Sequence, residues 1–387
     1  MRLSPSDLRD VHSMFGSAET LVQRRRATYS AILELMAGEA YGGADPDILD
    51  SPAARAHLGQ VVAGGVKYRS AALTPVSTIA NGAAAFRSDL FQIHVVSDPE
   101  ARLLLEGAVR HIAAELGAPS DGVDGIRLLL DGEPRFANAS RNVVNGLKLA
   151  TTICPELAED LLPHVCLFAV LANGKETGQL GSASARDFPG LVVVPEPVTE
   201  LEVAEALVHE GGHQKFFDLA MVRSILGDSF CRAPSFSSSW APTSAPRWPL
   251  EQCMAAFHAY TCLATFNEVL LDSAVRNQLH DFSLLPVAEE RAAELGEWLL
   301  RNVQFLGRDG VRFVSKLAGA HEFVEDPPTT ADVRLDHAAP TAVRMCDEWT
   351  LLAQRADRVE LYWLPTAEVG SDVQEGRKVP FAMSGQH

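Results

Sequence analysis

Five consecutive residues, His209-Glu210-Gly211-Gly212-His213, have the types and spacing of a metal site. Residues four apart lie on one face of a helix, so both imidazoles reach the same ion while Glu210 projects beside it. A neutral imidazole suits a transition metal, and a carboxylate next to metal-bound water suits proton transfer. The plainer alternative is two exposed histidines on an ordinary amphipathic helix. Two features weigh against it. Gly211 and Gly212 each cost about 1 kcal/mol relative to Ala inside a helix, a penalty understandable where another backbone or a ligand packs closely. Upstream, Thr199-Glu200-Leu201-Glu202 fits a capping box, which starts a helix ten residues before the first imidazole.

Two imidazoles leave a catalytic ion under-coordinated, so a third protein ligand is expected downstream. His258 is the only histidine of the apolar stretch 251–262, a setting in which a lone His is often a hydrogen-bonded core residue. Glu268 is its rival, because Glu268-Val269-Leu270-Leu271-Asp272 is the Glu-x-x-x-Asp pattern with which one class of zinc peptidases supplies a ligand and its supporting carboxylate. Ten helical residues span about 15 Å, so the two cannot serve one ion. His280, His321 and His337 are weaker options.

These residues need elements to hold them. Helix-period apolar positions predict helices over 1–40, 98–117, 136–172 (broken at Pro155 and Pro163 and ending in the run Val165–Leu171), 199–225, 251–280, 286–306 and 338–356. Short alternating or β-branched runs predict strands at 179–184, 190–194 and 358–364. The Ser- and Pro-rich segment 228–250 reads as a long functional loop. The resulting expectation is an α+β fold, mostly α-helical, with a zincin-like HExxH metal helix beside a small β-sheet and helical lobes on either side. Its regions are a mainly helical 1–175, a metal-binding catalytic 176–367 and a flexible tail 368–387. The segment Ser182–Ser184 is expected at the sheet edge beside the metal helix, where an extended peptide could add as a strand.

Composition narrows the function classes. With 33 Lys+Arg against 50 Asp+Glu the 387 residues carry a net charge of −17, which disfavours nucleic acid and anionic membrane surfaces as partners. No apolar run approaches the ~20 residues of a membrane span. Charges in the first 26 residues stand where a signal peptide needs an apolar core, and six scattered cysteines suit reduced thiols, so a cytoplasmic enzyme is expected.

The stretch Leu207–Lys215, with Ser239-Trp240, Arg247-Trp248-Pro249-Leu250 and Phe257-His258-Ala259-Tyr260, resembles the HExxH-type 2-oxoglutarate-dependent peptide β-hydroxylases, which tailor ribosomally made (RiPP) peptides. The resemblance covers roughly 180–270, and the loop Ser239–Arg247 is longer than the compact Ser-Pro-Trp-Arg type. It implies an iron dioxygenase using Fe(II), 2-oxoglutarate and O2, with His209, His213 and His258 as ligands and Glu210 beside them. A 2-oxo acid chelates iron through two oxygens and dioxygen takes another position, so three protein ligands fill an octahedron. The distal carboxylate of the cosubstrate asks for a bidentate cation, for which Arg247 is the candidate. The common iron triad contains a carboxylate, which keeps Glu268 in consideration. The competing chemistry is a zinc metallopeptidase with Glu210 as general base, and a silent peptide-binding module would need no metal.

Overall fold

The helix carrying the two imidazoles starts where its sequence dictates. In the computed structural model the Thr199 hydroxyl accepts from the Glu202 amide at 3.2 Å, and the Glu202 carboxylate accepts from the Thr199 amide at 2.7 Å. The structure describes residues 3–37, 45–62, 67–80, 84–87, 91–99, most of 105–112, 127–172, 181–196, 198–227, 229–240, 247–273, 287–320 and short strands within 341–378. Nine helices of eight or more residues, or packing directly on the site, organise them. They are α1 (Pro5–Ser13), α2 (Ala18–Ala37), α3 (Pro52–Val62), α4 (Phe136–Ile153), α5 (Pro155–Leu161), α6 (Glu200–Val222), α7 (Leu250–Asp272), α8 (Ala288–Arg301) and α9 (Arg308–Leu317).

The fold is mostly helical with a small mixed sheet whose long central pairing is parallel, an α+β arrangement. Strands β1 (Ala84–Arg87), β2 (Gln92–Val95), β3 (Arg127–Leu128), β4 (Leu167–Ala172) and β5 (Leu191–Pro195) make it. Central β4 runs parallel to β5 along one side; its other side pairs first with β2, in parallel, and then with β3, antiparallel. All six β4 residues are buried, as expected of a strand covered on both faces. The run Val165–Leu171 is thus a strand end to end from Leu167 and not the close of a helix. A short apolar run without periodicity fits either state, and here sheet pairing decides. Beyond β5, Ala183 exchanges both backbone hydrogen bonds with Val193 (3.0 and 2.9 Å), so the segment around it forms the sheet's next, outermost rung.

The predicted helices at 136–153, 200–222, 250–272 and 288–301 are present, as are strands at 191–195 and 360–365. The helix predicted over 338–356 is replaced by strands at Thr341–Arg344 and Trp349–Gln354, part of a four-stranded antiparallel sheet with Glu360–Pro365 and Arg377–Lys378. Strands at 84–87 and 92–95 carry no alternation long enough to announce them. Regions 1–175 and 176–367 share one sheet, because β4 pairs with β5, and share a core in which Leu8 and Val11 meet Phe257 and Phe313. The tail 368–387 lies outside the described residues except 377–378.

α6 is the axis of this core. It packs on α4, α5 and α7 and against β5, and 15 of its residues are buried. The two glycines explain the closeness: a Cβ on Gly212 would meet the Ala259 Cα of α7 at 2.9 Å, and one on Gly211 would meet the Leu161 Cβ of α5 at 3.2 Å. No helix of the described residues is long and apolar enough to cross a membrane.

Candidate functional site

One face of α6 opens into a cavity of about 490 Å³. His209, Glu210 and His213 line it from α6; Glu251, Gln252, Ala255, Ala256 and Tyr260 from α7; Ser182–Arg186 from the outer rung of the sheet; Trp248 and Pro249 from the loop ahead of α7. The two imidazoles stand edge to face with ring centroids 4.9 Å apart, as the four-residue spacing predicts. Burial pushes the His213 ring down to about 4 and, with the two rings unable to be protonated together and the Arg291 guanidinium nearby, holds His209 well below the ordinary histidine range. Both rings are therefore neutral near pH 7, the form that binds metals. The Nδ1 atom of His209 is buried without a hydrogen-bond partner, an unsatisfied polar atom that an ion or a water would satisfy.

Glu210 is tied to the sheet edge. The Ser182 hydroxyl donates to one of its oxygens at 2.8 Å and the Ser184 hydroxyl to the other at 2.6 Å. Alternation puts these two serines on one face of the extended segment, while Ala183 and Ala185 enter the core on the other. Burial pushes the Glu210 carboxyl up to about 7, against the two hydroxyl hydrogen bonds, which lower it. The group is thus poised to hold or release a proton near neutrality.

The loop predicted over 228–250 is fastened by aromatic contacts. Phe236 and Trp248 exchange backbone hydrogen bonds of 2.8 Å, and Trp240 stands edge to face with Tyr260 at 6.2 Å. The Arg291 guanidinium lies 5.4 Å from both the Trp240 and Tyr260 ring centres and donates to the Tyr260 hydroxyl at 3.1 Å. Tyr260 is in turn 4.8 Å from the His209 ring. Sequence spacing gave no hint of this role for Tyr260, although it closes the motif Phe257-His258-Ala259-Tyr260.

His258 does not join the pair on α6. It is not among the residues that line the cavity, and it points about 200° away from Tyr260 around α7. His258 is fully buried on that opposite face, where its Nδ1–H donates to the Gly212 carbonyl at 2.8 Å and its Nε2 meets His12 Nε2 at 2.7 Å. Glu268 is removed as well: it lines a separate groove between α7 and α8. Arg247 is exposed and does not line the cavity; among its described lining residues the one arginine is Arg186, whose guanidinium is 3.9 Å from Glu251. His280, His321 and His337 lie outside the described residues.

Among the described residues the one trio of His, Cys, Asp or Glu with ligand atoms all within 4.8 Å is His12, His258 and Cys262. The cavity therefore offers two imidazoles toward an ion; Glu210, Asp218 and Glu251 also line it, but among the described residues none of these carboxylates completes such a trio with both rings. A three-ligand iron centre fits these residues only in part. Compared with protein-family models and with curated proteins, the chain matches none.

Proposed function

We propose that this chain is a metal-dependent enzyme that modifies a peptide, and that its chemistry is the 2-oxoglutarate-dependent hydroxylation of a side-chain β-carbon in a ribosomally made substrate, on a zincin-like scaffold. The observation that carries the reading is the convergence, on one cavity, of the neutral His209 and His213 rings, the Glu210 carboxyl and the outward edge of the sheet at Ser182–Arg186. The selection of oxygenation rests on the sequence resemblance across 180–270.

Each residue has a task in this reading. His209 and His213 hold the ion; iron, when bound with 2-oxoglutarate and dioxygen, supplies the oxidation. Ala183 spends its backbone groups on β5, so the alternate groups of Ser182 and Ser184 face outward, where an extended peptide adds a strand. Ser182 and Ser184 fix the Glu210 carboxyl between that strand and the imidazoles. Arg186 replaces Arg247 as the cation for the distal carboxylate of the cosubstrate, because it lines the cavity and its fork suits bidentate pairing. Tyr260, braced by Arg291 and Trp240, walls the side of His209 away from the sheet.

The test is metal content of anaerobically purified protein together with succinate formation from 2-oxoglutarate and Fe(II), for the wild type and His213→Ala. Iron and succinate in the wild type, both lost in the variant, are the expected result. A second reading, a zinc peptidase, draws on one observation: a Glu210 carboxyl pushed up to about 7 beside two imidazoles suits a general base. Zinc at His209 and His213 with peptide cleavage and no succinate would establish that reading in place of the first.

A further inference from the structure

Behind α6, on the side away from the cavity, three ligand-bearing side chains from two helices converge in the core. His12 comes from α1, and His258 and Cys262 from successive turns of α7; all three are fully buried. The Nε2 atoms of the two rings are 2.7 Å apart, and the Cys262 sulfur is 3.5 Å from His258 Nε2.

The hydrogen bonds on the far side of each ring fix what these atoms are. The His258 Nδ1 atom faces the Gly212 carbonyl, which only accepts, so Nδ1 carries the proton and Nε2 presents a lone pair. The His12 Nδ1 atom faces the Asp160 carboxylate, itself paired with the Lys215 ammonium, so again Nδ1 is the donor and Nε2 the lone pair. Two acceptors thus point at each other in a buried space, with a thiol beside them. A carboxylate or backbone carbonyl on the outer nitrogen of an imidazole is the arrangement that orients metal-ligating histidines.

We propose that His12, His258 and Cys262 form a second, buried metal site that takes zinc, distinct from the one at His209 and His213. Two imidazoles and a thiolate are borderline-to-soft donors that suit Zn²⁺, with water completing a tetrahedron. Zn–N bonds of about 2.0 Å put tetrahedral nitrogens about 3.3 Å apart, so the rings part by roughly half an ångström on binding. The Cys262 thiol releases its proton to solvent as it ligates. The ion ties the N-terminal helix to α7, and through the Gly212 carbonyl it steadies the segment of α6 next to His213. This role accounts for His258 without assigning it to the cavity.

The test starts from the full-length His213→Ala variant, which removes the cavity's own ion and so separates this inference from the proposed function. About one equivalent of zinc per chain should survive there, and cobalt in its place should give a thiolate-to-metal charge-transfer band in the near ultraviolet. Adding Cys262→Ser should abolish the band and weaken zinc retention at least ten-fold in a chelator competition. If Cys262→Ser does not fold, loss of thermal stability of His213→Ala on chelation, restored by zinc, supplies the same evidence. The inference is overturned if His213→Ala carries no zinc, the result of a proton shared between the two rings, or if the cobalt spectrum shows no sulfur ligation.

Discussion

The Ser184 hydroxyl donates to the Glu210 carboxylate at 2.6 Å, which couples the outermost rung of the sheet to the residue between the two imidazoles. Replacing Glu210 separates the two chemistries. In Glu210→Gln the iron content should persist and succinate should still form, while peptide hydroxylation falls by at least ten-fold because the contact between strand and ion is altered. A hydrolytic enzyme would instead lose all turnover with its metal in place. Mass spectrometry of the peptide beside a succinate assay reads both.

Ser182→Ala/Ser184→Ala removes two donors that lower the Glu210 carboxyl, so that carboxyl should titrate above about 7 in the variant. Alanine keeps the backbone groups proposed to pair with the peptide, so kcat should fall more than KM for peptide rises. A rise in KM as large as the fall in kcat, seen in steady-state kinetics, would count against strand addition at this edge.

Arg186→Ala should raise KM for 2-oxoglutarate at least ten-fold, whereas Arg247→Ala should stay within two-fold of the wild type because that side chain is exposed and outside the cavity. Titration of cosubstrate against initial rate distinguishes them. The opposite ranking would restore Arg247 as the anchor.

The two glycines of the motif should differ in cost. Alanine gains about 1 kcal/mol of helix propensity at either position. At Gly211 the new methyl meets the Leu161 Cβ at 3.2 Å, a contact relieved by a shift of a few tenths of an ångström, and the two effects should nearly cancel. At Gly212 it meets the Ala259 Cα at 2.9 Å, a backbone that cannot yield alone, and overpacking of about 1–3 kcal/mol should prevail. Denaturant midpoints of Gly211→Ala and Gly212→Ala give the comparison.

Acid should loosen the α2 side of the core. Burial by itself would raise the Asp50 carboxyl, but Arg25, which donates to it at 2.7 Å, together with Arg26 and Arg55 holds it near about 2, below its ordinary 3.8. Because the folded value is the lower one, the unfolded chain binds the proton first. The contribution is complete above pH 3.8 and lost as pH falls toward about 2. Asp50→Asn should flatten this part of the stability-against-pH curve.

Much of the cavity wall contributed by α6 was legible because its signals are local. The capping box, the four-residue repeat and the two glycines all lie within 15 residues; the box closes on itself and the glycines meet α5 and α7 as their small size requires. β4 was misread because a strand buried on both faces loses the alternation by which strands are recognised. The contact of His258 with His12 was hidden for a different reason: the two are 246 positions apart, and no spacing within α7 reveals it. An α-helix turns Tyr260 and His258 to different sides, but nothing in the sequence says which side meets the imidazoles.

The outer rung at Ser182–Ser184 sets a rule of parity for the proposed peptide substrate. A strand laid along it turns alternate side chains toward the imidazoles and the intervening ones away, and a slip of one residue exchanges the two sets. Backbone pairing alone is indifferent to which residues those are. Under the proposed function, a peptide modified more than once should therefore carry its hydroxyl groups an even number of residues apart.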